Sequence, residues 1–169
     1  TQDPAVRHPM HQFVVETEGY EGTRLLASTF SDGVLTALFQ VDGWPPGPYE
    51  EALTAVDAIE EHAISPQADG TFAVYVRDRL ADHDRELIGA FGRVGLVVLY
   101  PVVYPADGTV LVTVVGPSET LQTALAATPP GMSVSVERIG DYDRRRIGGD
   151  RALTDRQAEA VAAAVDCGY

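Results

Sequence analysis

RLLASTFSDGVLTALFQV, residues 24–41, decides the fold. Two apolar, β-prone runs, 24–30 and 34–41, flank Ser31-Asp32-Gly33. Asp-Gly supplies the positive φ that a tight reversal needs, so the stretch reads as a β-hairpin. A second stretch has the same form: LVVLYPVVY (96–104), a turn at Ala106-Asp107-Gly108, and TVLVTVV (109–115). Each hairpin precedes a helical pattern. PYEEALTAVDAIEEH (48–62) gathers Ala52, Leu53, Val56 and Ile59 on one face, with Pro48 at an N-terminal position; SETLQTALAA (118–127) is its counterpart. Strands follow at FAVYV (72–76) and SVSVERI (133–139).

The chain thus reads as a pseudo-repeat, 24–76 and 96–139. The helix openings also align: Gly47-Pro48-x-Glu50-x-x-x-Thr54-Ala55-Val56 with Gly116-Pro117-x-Glu119-x-x-x-Thr123-Ala124-Leu125. Duplication explains the shared element order and the shared letters better than chance does. DHDRELIGAFGRVG (82–95) reads as a connecting helix with an Asp cap and a glycine exit. From FAVYV onward the order β-α-β-β-α-β is ferredoxin-like. The predicted class is α+β, a mostly antiparallel sheet with helices on one face. Two ferredoxin-like or ββαβ halves stand in tandem, followed by one C-terminal helix. Pro101 cannot donate to a ladder, so it marks an edge, a bulge or the end of pairing. Residues 1–10 read as a tail and HQFVVETE (11–18) as a strand. The α+β domain spans 11–140, a polar, charge-mixed linker 141–152, and a last helix 153–169.

Acids outnumber bases 25 to 12, a net charge of −13. Every base is Arg; Lys and Asn are absent. This fits a surface built for molar salt, where the Debye length falls to ~3 Å and self-repulsion is screened; an ordinary acidic protein is the plainer alternative. Such a chain alone lacks the basic face that phosphate binding needs. Cys167 is the one cysteine, which excludes an internal disulfide. The best membrane candidate, 94–106, is too short and is broken by Pro101 and Pro105. With no secretory signal visible, the expected location is cytoplasmic, and Thr1 is expected to be a cut or processed end.

No catalytic constellation stands out. G-x-S-x-G and H-E-x-x-H are absent. His8 and His11 fall in the expected tail, His62 at a helix end, and His83 in a helix first turn facing solvent. Glu50-Glu51 and Glu60-Glu61 are neighbours on a helix and do not converge on one atom. Gly89, Gly92 and Gly95 precede a strand, where a phosphate cradle needs to follow one. Acylphosphatase chemistry needs an Asn this chain lacks. The expectation is a non-enzyme without metal or cofactor. Trp44, in DGWPPGPY with Tyr49 nearby, either lines a ligand or partner site or caps the core edge. Arg144-Arg145-Arg146 is the one basic cluster. It either touches phosphate or keeps a linker soluble.

The last stretch, ALTDRQAEAVAAAVDCGY (152–169), is more specific. Thr154 and Gln157 form a capping box. Ala158, Val161, Ala162 and Val165 make one narrow apolar face, and Gly168 is a stop. Leu153-Thr154-Asp155-Arg156-Gln157, then Ala160, Ala163-Ala164-Val165 and Gly168-Tyr169, resembles the first helix of the helix-turn-helix domain of bacterio-opsin-activator-type regulators of haloarchaea. Residues 11–140 resemble, in pattern, the domain that accompanies it. The resemblance implies the sensory or dimerising part of a DNA-binding transcription regulator. Its DNA-reading helices would follow Tyr169; Arg144, Arg145, Arg146 and Arg156 would lie near DNA. It implies a homodimer, with an effector or protein partner of unknown kind and no membrane. The alternative is a stand-alone small-molecule-binding domain with a cleft near Trp44 and the Gly47 and Gly116 turns.

Overall fold

The hairpin forms as its turn residues dictate. β1 (Tyr20–Ser31) and β2 (Val34–Gly43) pair antiparallel up to Ser31 opposite Val34. The two linking residues, Asp32 (φ 53°) and Gly33 (φ 81°), both occupy the left-handed region that a two-residue reversal requires. The computed structural model describes residues 3–136 apart from Arg93. The remaining strands are β3 (Ile59–Pro66), β4 (Thr71–Arg79), β5 (Val97–Pro105) and β6 (Leu111–Val115). They join the hairpin in one six-stranded sheet, ordered β3-β4-β2-β1-β5-β6. Every pairing is antiparallel. The helices are α1 (Pro9–Glu16), α2 (Pro46–Thr54), α3 (Asp82–Phe91) and α4 (Ser118–Ala126). The class is therefore α+β, as the sequence predicts.

The core lies on one sheet face. In β4 the alternation is strict: Phe72, Val74 and Val76 are buried, and Asp78 and Leu80 continue the same row. Phe13 of α1 meets Tyr20 and Tyr49, and Tyr49 of α2 meets Phe72, with ring centroids 5.1–5.6 Å apart. Burying a side chain such as Phe72 contributes roughly 1.5–3 kcal/mol, so this aromatic group anchors both helices to the sheet.

Four details differ from the sequence reading. Residues 3–10 are not a loose tail and 11–18 are not a strand. Pro4–Val6 is a 3-10 turn, and α1 follows with Met10 and Val14 buried at helical spacing. Pro9 sits in its first turn, and the His8 side chain caps it. Second, the helix predicted over 48–62 ends at Thr54, and Ile59–Pro66 is an edge strand. A register shift between Ile59 and Glu61 breaks the two-residue period there, which hid the strand. Third, the N-cap of α3 is Ala81, with Asp82 and Asp84 inside the first turn.

The fourth concerns topology. The halves are visible locally as β1-β2-α2 and β5-β6-α4. A ferredoxin-like arrangement would place β4 beside β6; instead they are separated by β2, β1 and β5. Ser133–Val136 carry no strand, and 137–139 lie outside the described residues. Pro101 behaves as its chemistry requires. Pairing of β5 with β1 ends at Val102, and the β5–β6 register shifts between Leu99 and Val103.

Candidate functional site

The loop residues singled out by sequence part company. Trp44 is half-exposed, at 53%. It rims an open depression of about 430 Å³ with Gly19, Arg24, Asp42, Asp69 and Gly70. Arg24 Nη2 lies 2.7 Å from Asp42 Oδ2. Burial pushes the Asp42 carboxyl up, against the pull of Arg24. Tyr49 points the other way, into the aromatic core at 4% exposure, and burial drives its phenol far above its ordinary value. It is a packing residue. A cleft is expected near Trp44 and the Gly47 and Gly116 turns; among the described residues, the depression at Trp44 is lined by the Gly19 and Gly70 turns instead, and Gly116 packs against Leu96 and Gly95.

A second, less obvious cluster forms where the N-terminal ends of α1 and α3 meet the end of β4. His8 Nδ1 accepts the Met10 N–H at 3.2 Å, so its ring proton sits on Nε2. That nitrogen lies 2.9 Å from Asp78 Oδ2. Asp78 occupies a buried position of β4 where the alternation demands an apolar residue, which is why it needs this partner. Its Oδ1 is buried without a hydrogen bond among the described residues. His11 Nε2 is 3.1 Å from the Pro105 carbonyl and packs edge-on to Tyr104. Burial lowers its pKa, against that hydrogen bond.

From α3, His83 and Asp84 turn toward the same region. His83 Nε2 lies 3.5 Å from Asp84 Oδ2 and is itself buried without a hydrogen bond among the described residues. Burial raises the Asp84 carboxyl, opposed first by His83. Arg7, whose Nη1 donates to Gln12 Oε1 at 2.7 Å, completes the group. These side chains border a pocket of about 340 Å³ whose apolar lining includes Val56 and Ala58. His83, expected to face solvent, and His8, expected in a tail, are thus brought together. The one signal in sequence was Asp78: a charged residue in the buried phase of FAVYVRDRL implies a polar partner from elsewhere.

The other sites named from sequence, Arg144, Arg145, Arg146, Thr154, Arg156, Gln157, Val161 and Val165, lie outside the described residues. So do the linker 141–152 and the helix 153–169. Among the described residues, no three His, Cys, Asp or Glu side chains group as metal ligands. No described helix is long and apolar enough to cross a membrane. A family model described as HVO_0513_N, N-terminal, matches residues 8–142, and the chain belongs to that family. No curated protein and no solved structure matches.

Proposed function

We propose, with that family membership as the premise, that residues 8–142 are the regulatory, sensory or dimerising part of a DNA-binding transcription regulator from a halophilic archaeon. One observation carries the reading. The family match ends at residue 142. The charge-mixed stretch expected as a linker begins there, and the capped Leu153–Gln157 signature follows directly. A family described as N-terminal implies a further part in its members, and the helix-turn-helix resemblance gives that part an identity. The −13 charge agrees with the division of labour: the acidic domain senses or assembles, while DNA contact falls to other residues. The protein would act in the cytoplasm as a homodimer and would catalyse nothing.

The experiment is a selection from random duplexes with the natural full-length protein, followed by gel-shift titration across salt. Enrichment of one motif, bound far more tightly than scrambled DNA, is expected. Absence of sequence preference at every salt from 0.1 M to molar would overturn the proposal.

A second reading, a stand-alone small-molecule-binding domain, is favoured by the pocket beside Arg7, His83 and Asp84. It predicts a ligand-dependent rise in thermal stability without DNA binding.

A further inference from the structure

The two edges of the sheet are unlike. β3 carries Glu60, Glu61 and His62, has its register broken between Ile59 and Glu61, and ends on Pro66. Arg77 and Arg79 of β4 hold its two glutamates. Charge, a bulge and a proline are the devices that keep one sheet from adding to another. β6 has none of them in its five residues, Leu-Val-Thr-Val-Val. The irregularity between β5 and β6 puts its extra residues in β5. β5 pairs with β6 on one side, and among the described residues no strand pairs with the other. Leu111 and Val112 are 42% and 44% exposed there. Such an edge offers its free N–H and C=O groups as a ladder to another extended chain.

The order of residues in β6 selects that chain. Turned end for end about Thr113, the strand keeps its polarity: Leu111 falls opposite Val115, Val112 opposite Val114, and Thr113 opposite itself. Opposed side chains of an antiparallel pair share a face, so apolar meets apolar and threonine meets threonine, a favourable cross-strand pair. Moving the axis by one residue sets Thr113 against Leu111 or Val115 and shortens the overlap. Charge favours the same partner. At −13, two copies repel over most of their surface. From Val94 to Ser118 the one charged residue is Asp107, whose carboxylate accepts from the Thr109 N–H and hydroxyl.

We infer that β6 pairs antiparallel with β6 of a second copy, across a two-fold axis at Thr113, making one sheet of twelve strands, six from each copy. The assembly closes at two, because the edges left over are the two guarded β3 strands. The inference rests on the homodimeric reading above and gives it an interface. Its test involves no DNA, so either can fail without the other.

The experiment is sedimentation velocity of the 169-residue chain in molar KCl, from micromolar to millimolar concentration, joined to cysteine cross-linking in a Cys167→Ser background. The apparent mass should rise to that of two chains and no further. Thr113→Lys sets two lysines together on the axis and should weaken association at least tenfold; Thr113 is exposed, so the fold is kept. Ala63→Lys, on the β3 edge, should leave association unchanged. Opposed Cα atoms of an antiparallel pair lie ~4.5–5.5 Å apart, within disulfide reach, so Thr113→Cys should oxidise to a covalent dimer. Leu111→Cys should not cross-link with its own copy, four residues or ~13 Å away, but should do so when mixed with Val115→Cys. A monomer at every concentration would overturn the inference, and protection of its β6 amides from hydrogen exchange would show a segment of the same chain on the edge. Association undiminished by Thr113→Lys, growth beyond two chains, or cross-links in another register would overturn it as well.

Discussion

α2 and α4 begin with the same letters and end in different circumstances. In both, a threonine hydroxyl donates to the carbonyl four residues back at 2.9 Å: Thr54 to Glu50, and Thr123 to Glu119. Both start after a proline-bearing turn and run nine residues. Yet α2 buries Tyr49 and Leu53, whereas α4 buries Ala124. In the alignment of the halves, Tyr49 corresponds to Ser118 and Leu53 to Gln122. The shared letters are those that start a helix; the letters that differ are those that seat it. The central core reflects this, drawing one buried member, Val102, from the second half. Local form was repeated and packing was not.

The sharpest way to break this comparison is to remove the seat. Tyr49→Ala should cost about 3–5 kcal/mol, from lost burial and the cavity left among Phe13, Tyr20 and Phe72. Ser118→Ala should stay within about 0.5 kcal/mol. Denaturant unfolding at fixed salt measures both, and equal costs would end the asymmetry.

The second half is held partly by polar contacts instead. His11 links α1 to β5 through the Pro105 carbonyl. His11→Ala should cost about 0.5–1.5 kcal/mol at neutral pH by removing one of the two donors to that carbonyl, the other being the Gly108 N–H at 3.2 Å. The folded pKa lies below the ordinary 6.5, so the unfolded chain binds the proton more readily. The contribution of His11 is therefore complete above that value and fades as pH falls beneath it. The gap between wild type and variant should narrow on acidification; a gap constant from pH 8 to pH 5 would show that His11 acts by shape alone.

A smaller effect of opposite sign is expected at Asp84. Its folded pKa is raised, chiefly by burial, so the charged form opposes folding at neutral pH. Asp84→Asn should raise the melting temperature by a few degrees at pH 7, and the gain should vanish as pH falls toward the ordinary carboxylate value of about 4. A drop in melting temperature at pH 7 would mean that the carboxylate holds α3 in place. Last and least, Thr54→Ala and Thr123→Ala should each shift stability by less than about 0.5 kcal/mol, and by the same amount, because both hydroxyls make one exposed local bond. Unequal shifts would deny the local equivalence.

Features governed by near neighbours were legible in the sequence. Asp32-Gly33 and Asp107-Gly108 placed both turns, and Pro101 placed the break in β5. The class followed from their order. Features set by register or distant contact were not. The bulge at Ile59 made a strand look like the tail of a helix. α1 was missed because its first turn depends on His8 and Pro9, residues that look like an untidy terminus until Asp78 is opposite them. The site was hidden for the same reason. His8, Asp78, His83 and Asp84 span 77 positions, and only the antiparallel sheet brings them to one place. Trp44 was legible as an exposed loop aromatic; Tyr49, five residues on, was not separable from it without the helix phase.

One contact at the start of the chain has a practical reach. The Asp3 N–H donates to the Gly131 carbonyl at 2.8 Å, and Val6 packs against Gly131. The two ends of the described fold therefore share a doorway. A linker of a few residues could join them, and new termini could be opened at the exposed turn around Asp107, giving a circular permutant with the sheet order intact. The same doorway makes the domain insertable: spliced into a surface loop of another protein, it would ask that host for a gap of only a few ångströms.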